Sequence, residues 1–190
     1  NVEYGFTERN GRRVELATGD IDSVYYDKLS GVIDSMTHSH AYKKGTNNMM
    51  FSLADMKQMR NLAEENELSK YSLIYGKEMM SMNLGKDSLK TARAVAQKYP
   101  IINDVVTAMF ATADGESVAA ENSGEMARIL NGYLQRVISE AGGELSVTNS
   151  SGLDVSSKYS ITDDEYTKLN NVVSNFKNYF DNNYGKVTNL

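Results

Sequence analysis

The stretch "SMTHSHAYKKG", residues 35–45, decides whether the first part of the chain is helical or extended, and it contains both histidines. Basic residues followed by a glycine are typical of a helix C-terminus. Asp20 fits the N-cap of the same helix. Between the two ends, apolar residues recur at spacings of three and four, which indicates one helical face: Ile21, Val24, Tyr25, Leu29, Val32, Ile33 and Met36. We therefore predict a helix that begins at Asp20 and ends within 35–45.

His38 and His40 lie two residues apart, and this spacing has two interpretations. On a strand both rings would project to one side, which is a real metal-ligand spacing, whereas on a helix they would diverge by about 200°. Zinc would also need a third protein ligand, and the chain has no cysteine and no further histidine. Asp34 or a distant carboxylate could serve, but no pattern points to one. The helical periodicity therefore predicts no metal site, and we expect no cofactor.

The N-terminus is the one segment with a β pattern. Apolar and polar residues alternate on both sides of an Asn-Gly pair. A two-residue loop at this pair would place Phe6 opposite a glutamate. A three-residue loop, with its glycine left-handed, instead pairs Phe6 with Val14 and Tyr4 with Leu16. We predict a β-hairpin over residues 2–17 in the second register.

Two further helices begin with capping boxes, in which an N-cap hydroxyl and an acid three residues later satisfy each other's backbone amides. The first pairs Ser52 with Asp55, and the second pairs Thr162 with Glu165. Similar patterns predict a helix from Ser69 to near Gly85, two helices separated at Pro100, and a helix from Asn122 to Gly142.

These elements predict a single mainly α domain over residues 1–190, with six to seven helices in a bundle or orthogonal array. The N-terminal hairpin, 2–17, precedes a helical body, 20–143. A long polar connection follows at 144–161, either a loop or a segment with one short strand at Leu145 to Thr148. The C-terminal helix is expected at 162–184.

Composition excludes several functions. The net charge of −5 argues against a nucleic acid held through phosphate contacts. No apolar run reaches the roughly 18 to 20 residues that span a bilayer. The absence of cysteine excludes disulfides and thiol catalysis. Nucleotide-binding and catalytic motifs are missing, and the acidic clusters at 64–67 and 163–165 are interpreted as solvated helix faces.

The chain has 12 tyrosines, and several lie outside the helical stripes, where exposed tyrosine favours protein interfaces. These candidate interface residues are Tyr26, Tyr42, Tyr75, Tyr159 and Tyr184. Two functions follow. The first is a non-enzymatic helical module, secreted, surface-exposed or virion-associated, that binds a protein partner or itself. The alternative is a helical hydrolase whose carboxylates converge only in the fold.

Overall fold

The computed structural model describes residues 2–18, 33–111 and 120–184. It is an α/β fold, and the prediction of a mainly α bundle is wrong. The strands are β1 (Tyr4–Arg9), β2 (Arg12–Thr18), β3 (Ser35–Ser39), β4 (Lys70–Tyr75), β5 (Glu78–Asn83) and β6 (Glu144–Asn149). The α-helices of the described residues are α1 (Leu53–Glu65), α2 (Ser88–Phe110), α3 (Ser123–Ala141) and α4 (Asp163–Tyr184).

The six strands form one mixed sheet in the order β2-β1-β3-β4-β5-β6. All neighbours are antiparallel except β3 and β4, which are parallel. Parallel strands need a crossover, and here the segment that contains α1 supplies it. The end of β3 and the start of α1 are consequently joined by a single connection, residues 40–52.

Strand β3 corrects the helical prediction for residues 35–45. Residues 35–39 pair with β1 on one side and with β4 on the other, so they are central in the sheet. Residues 20–32 of the predicted helix lie outside the described part of the chain. A spacing of three and four over a few residues does not exclude a strand, because short buried strands are also largely apolar. Four consecutive side chains of β3 are buried, as expected for an interior strand.

The predicted helix from Ser69 to Gly85 is also wrong, since this segment is the hairpin of β4 and β5. Tyr71, Leu73 and Tyr75 alternate along β4 and are buried on one face. Gly76 adopts a φ of +60° at the turn, which a glycine tolerates without strain. In the sequence, the two-residue alternation of β4 and β5 was hidden by additional apolar residues on the opposite face of each strand.

The N-terminal hairpin is confirmed, but its predicted register is wrong. Phe6 pairs with Leu16, because a two-residue turn at Asn10 and Gly11 is combined with a bulge after Thr7. Both turn residues have positive φ, 52° and 70°, as a type I′ turn requires. The bulge shifts the pairing by one residue and so removes the mismatch that had argued against the short loop.

Helices α1, α3 and α4 confirm their predictions. Helix α2 runs continuously through Pro100, where a stop or a kink was expected. The open choice at 144–161 is resolved as edge strand β6 followed by a short 3₁₀ turn at Ser156–Tyr159, so this segment is not one long loop. Within the described ranges, no helix combines the length and apolarity that crossing a bilayer requires.

The core lies between the helices and one face of the sheet. Side chains of that face, including Met36, Leu73, Met80 and Val147, share one buried cluster with residues of all four helices. Helix α4 contributes Leu169 and Val173 to this cluster. Phe176, one turn further along α4, is 49% exposed.

Candidate metal centre

The two histidines and one carboxylate meet where β3 ends and α1 begins. His38 Nε2 lies 3.1 Å from Asp55 Oδ1, and His40 Nε2 lies 3.3 Å from Asp55 Oδ2. One donor atom from each residue lies within 4.8 Å of the other two. The side chains are only 3%, 8% and 13% exposed, in the order His38, His40 and Asp55. Three potential metal ligands therefore converge in a largely buried site.

The extended backbone explains why the histidines converge. His38 is the fourth residue of β3 and His40 follows its last residue, so both rings project to the same side. Their ring centroids are 5.3 Å apart. A helix would have separated the rings, and the expectation that they diverge at a helix end is therefore wrong.

Asp55 is oriented by the capping box of α1. Its Oδ2 accepts a hydrogen bond of 2.6 Å from the Ser52 backbone amide, and its own amide donates to Ser52 Oγ at 3.1 Å. Both carboxylate oxygens still face the histidines. The box therefore fixes the carboxylate before any ligand binds, as outer hydrogen bonds do in metal sites.

The two imidazoles differ in their other contacts. His40 Nδ1 lies 3.1 Å from the Asn48 carbonyl oxygen, which can only accept a hydrogen bond, so Nδ1 carries a proton and Nε2 is the nitrogen that faces Asp55. His38 is packed between Phe51 and Tyr71. Among the described residues, neither ring nitrogen of His38 makes a hydrogen bond, although its Nε2 lies 3.1 Å from Asp55 Oδ1. A buried polar group without such a partner costs about 1 to 3 kcal/mol, and this cost calls for an explanation.

Glu3 places a second carboxylate beside this cluster. It directly precedes β1, and because Gly5 pairs with His38 in antiparallel register, Glu3 lies at the level of His40. Its side chain is buried. It does not belong to the close set of donor atoms formed by the other three residues. Glu3 is therefore a neighbour of the centre and not one of its ligands.

The pKa shifts agree with this separation of Glu3 from the three potential ligands. Burial raises the pKa of Glu3, although the charges of His40 and His38 oppose the shift. Burial also opposes ionisation of Asp55, yet the adjacent imidazoles of His38 and His40 hold its pKa well below the usual value. For His40, burial acts to lower the pKa, but Asp55 outweighs it, and the pKa is raised. Asp55 is thus held as an anion, while Glu3 is a carboxylate that takes up a proton readily.

The structure places the described members of the tyrosine set singled out from the sequence in different surroundings. Tyr42 is 56% exposed, whereas Tyr75 and Tyr159 are buried. Tyr26 lies outside the described residues, and Tyr184 is the last residue of α4. Tyr75 and Tyr159 instead use their hydroxyls internally, bonding Lys43 and Thr46 carbonyls and the Glu78 carboxylate.

Sequence reasoning named Asp55 only as a helix-capping residue and did not mention Glu3 as a candidate. The signal for Asp55 was present, because a capping acid follows the paired histidines by 15 residues across one connection. No protein-family model matches the chain, and searches among curated proteins and solved structures found no significant match.

Proposed function

We propose that the chain is a metal-dependent hydrolase whose metal, zinc, is held by His38, His40 and Asp55. The observation that carries the proposal is the convergence of three buried donors at one point. In a tetrahedral zinc site with bonds near 2.0 to 2.1 Å, ligand atoms lie about 3.3 Å apart, and each imidazole Nε2 lies at a comparable distance, 3.1 or 3.3 Å, from one of the two Asp55 carboxylate oxygens. Two histidines, one carboxylate and an open fourth position form a common catalytic zinc set.

A buried ion pair is the simpler account of the same three residues. It explains the contact between His40 and Asp55, but it leaves both ring nitrogens of His38 without a hydrogen bond at 3% exposure. A metal bound to Nε2 would compensate that nitrogen. The carboxylate–imidazole contacts would then be neighbouring ligands on one ion.

Zinc suits the site better than an octahedral ion. Imidazole nitrogen is a preferred zinc ligand, whereas magnesium and calcium select oxygen ligands. A non-haem iron centre uses the same ligand types but needs three further positions. The low exposure of all three side chains favours an ion with one further ligand.

The metal would polarise the substrate carbonyl and lower the pKa of an attacking water. Glu3 then accepts a proton from that water, and the water oxygen forms a bond to the carbonyl carbon. The carbon–nitrogen bond breaks, and Glu3 passes the proton to the departing nitrogen, so the products are a carboxylic acid and an amine. The raised pKa of Glu3 suits both halves of this transfer, because it brings the carboxyl closer to neutral pH.

The non-enzymatic binding module remains a second proposal. It is supported by exposed apolar side chains on the C-terminal half of α4, where Phe176 is 49% and Tyr179 is 61% exposed. This surface is formed by residues different from those of the metal centre. The two proposals can therefore be tested separately.

The decisive experiment measures metal and hydrolysis in the same preparations. A protein purified without a polyhistidine tag is expected to contain one zinc per chain by elemental analysis and to rebind zinc after chelation. Hydrolysis would be assayed by mass spectrometry on a library of short peptides. Glu3→Gln is expected to keep zinc but lose peptide hydrolysis, whereas His38→Ala is expected to lose both. A wild-type protein that neither contains nor rebinds zinc would refute the proposal.

A further inference from the structure

A cavity of about 460 Å³ lies against the connection that follows His40. Ala41, which directly follows His40, forms part of its wall. Asn48 forms another part, and its carbonyl oxygen is the partner of His40 Nδ1. The cavity therefore adjoins His40, although none of the three proposed ligands lines it, and a substrate side chain that extends past the His40 ring would enter it.

The wall of the cavity is fastened to the rest of the fold. The Tyr75 hydroxyl donates toward the carbonyls of Lys43 and Thr46, at 3.1 and 3.0 Å. The Asn47 backbone amide donates a hydrogen bond to Ser123 Oγ at 2.8 Å, which ties the connection after β3 to the start of α3. A site held by such contacts is largely formed before ligand binding.

Asn131 supports the part of the connection that contributes Asn48 and Met50 to the cavity wall. This side chain is fully buried in α3 and donates from Nδ2 to the Met49 carbonyl oxygen. Met49 and Asn48 are adjacent, so the contact also supports the carbonyl that faces His40. The shape of the cavity and the position of His40 thus depend on one connection.

The lining is mostly apolar and carries one charge. Ala41, Met50 and the ring of Tyr42 provide apolar surface, and Lys43 is the single charged residue among those that line the cavity. Among the described residues, the Lys43 ammonium has no ion-pair partner. In a chain with a net charge of −5, the described residues thus leave a cation at this cavity without an acidic partner.

We propose that this cavity binds an acidic side chain of the substrate, glutamate or aspartate, next to the bond that is hydrolysed. The aliphatic part of the side chain would contact Met50 and Tyr42, and the carboxylate would pair with Lys43. Lys43 is then the residue that determines specificity. This inference rests on the proposed hydrolase function, because it assigns the substrate class of the same site.

Hydroxamates allow the test without a known substrate, since a hydroxamate binds zinc directly and carries a chosen side chain toward the cavity. N-acetyl-glutamyl hydroxamate is compared with its glutaminyl analogue, which differs only in the charge. A second pair, malonyl hydroxamates of glutamyl amide and glutaminyl amide, presents the side chain from the other side of the metal. Binding is measured by calorimetry with the zinc-loaded protein.

We expect the acidic member of at least one pair to bind about tenfold more tightly, as one charge-assisted contact implies. Lys43→Met should abolish this preference while leaving the neutral member unchanged. Lys44→Met is the matched control, because Lys44 is the neighbouring exposed lysine and does not line the cavity; it should keep the preference.

The outcomes distinguish failure of the acidic specificity from failure of the proposed hydrolase function. If both members of both pairs bind equally in a zinc-dependent manner, the acidic specificity is refuted and the metal centre stands. If Lys43→Met retains the preference, the assignment of Lys43 is refuted. If no hydroxamate binds and zinc makes no difference, the proposed function itself is refuted, and the inference is refuted with it.

Discussion

The starts of α1 and α4 contain the same capping box in different surroundings. In α1, Ser52 and Asp55 exchange hydrogen bonds of 2.6 and 3.1 Å, and in α4, Thr162 and Glu165 do so at 2.8 and 3.2 Å. Both acids have a lowered pKa, that of Glu165 falling to about 2. The local motif and its effect on the backbone are therefore alike.

The partners of the two acids differ. Asp55 is 13% exposed and faces two imidazoles, while Glu165 is 35% exposed and pairs with the Arg128 guanidinium at 2.7 Å. Arginine is a permanent cation and cannot donate a lone pair to a metal, whereas imidazole can. One box therefore anchors a helix, and the other also presents a carboxylate to potential metal ligands.

The largest expected difference is in zinc affinity. Asp55→Asn should weaken zinc binding by at least about 100-fold, because it replaces a ligand and not an outer contact. Glu165→Gln, the equivalent change in the other box, should leave the affinity unchanged. Competition with a chromophoric chelator measures both. Wild-type affinity in Asp55→Asn would show that Asp55 is only a cap.

The hydroxyl of each box gives a smaller and more selective effect. Ser52→Ala and Thr162→Ala should each lower the free energy of unfolding by about 1 kcal/mol, the usual cost of losing an N-cap. Urea unfolding in the presence of a chelator measures this cost. Only Ser52→Ala should also weaken zinc binding, by about tenfold, since Ser52 orients a ligand. Equal zinc affinities in the two variants would contradict that role.

The sequence alone predicted the two capping boxes, but it did not predict the side chains that contact their acids. A hydroxyl and an acid three residues apart satisfy backbone groups within one turn, so Ser52 and Thr162 could be recognised without tertiary structure. The partner of each acid comes from elsewhere in the chain. His40 lies 15 residues before Asp55, and Arg128 lies 37 residues before Glu165. No local rule connects such pairs.

The prediction of β3 and β4 from the sequence failed for a related reason. The buried strands β3 and β4 carry apolar or small side chains on both faces, so their period of two is hidden in the sequence. The helical interpretation of 35–45 then separated His38 from His40 and removed the metal site from consideration. An error in secondary structure was thereby carried into the prediction of function.

The pH dependence of zinc binding should also distinguish the boxes. Asp55 and Glu3 both favour the protonated form of His40, whose pKa is raised from 6.5 despite burial, with His38 as the other neighbouring titratable group. In the metal-free protein this proton stabilises the fold below pH 6.5, and the contribution is lost as the pH rises through the raised pKa. Zinc must displace the proton, so its affinity should fall by about tenfold between pH 8 and pH 6.

The box of α4 should not respond over that range. The lowered pKa of Glu165 makes its contribution complete above pH 4.5, and it is lost only as the pH falls toward about 2. Zinc titration at pH 8 and pH 6, with circular dichroism as a control for folding, measures the contrast. A zinc affinity that is independent of pH would exclude both histidines as ligands.

The smallest expected effect on the free energy of unfolding concerns how much of α4 packs against the core. Val173 is buried in the core, but Phe176, one turn further on, is half exposed. Phe176→Asp should therefore lower the free energy of unfolding by about 1 kcal/mol or less, since surface substitutions away from packed sites have small effects. Val173→Ala is the control and should cost about 1 to 2 kcal/mol, because it removes buried methyl groups. Urea unfolding of the two variants in chelator gives the order directly. A larger loss for Phe176→Asp than for Val173→Ala would mean that α4 is packed along its whole length, and the second function proposed for its exposed side chains would lose its support.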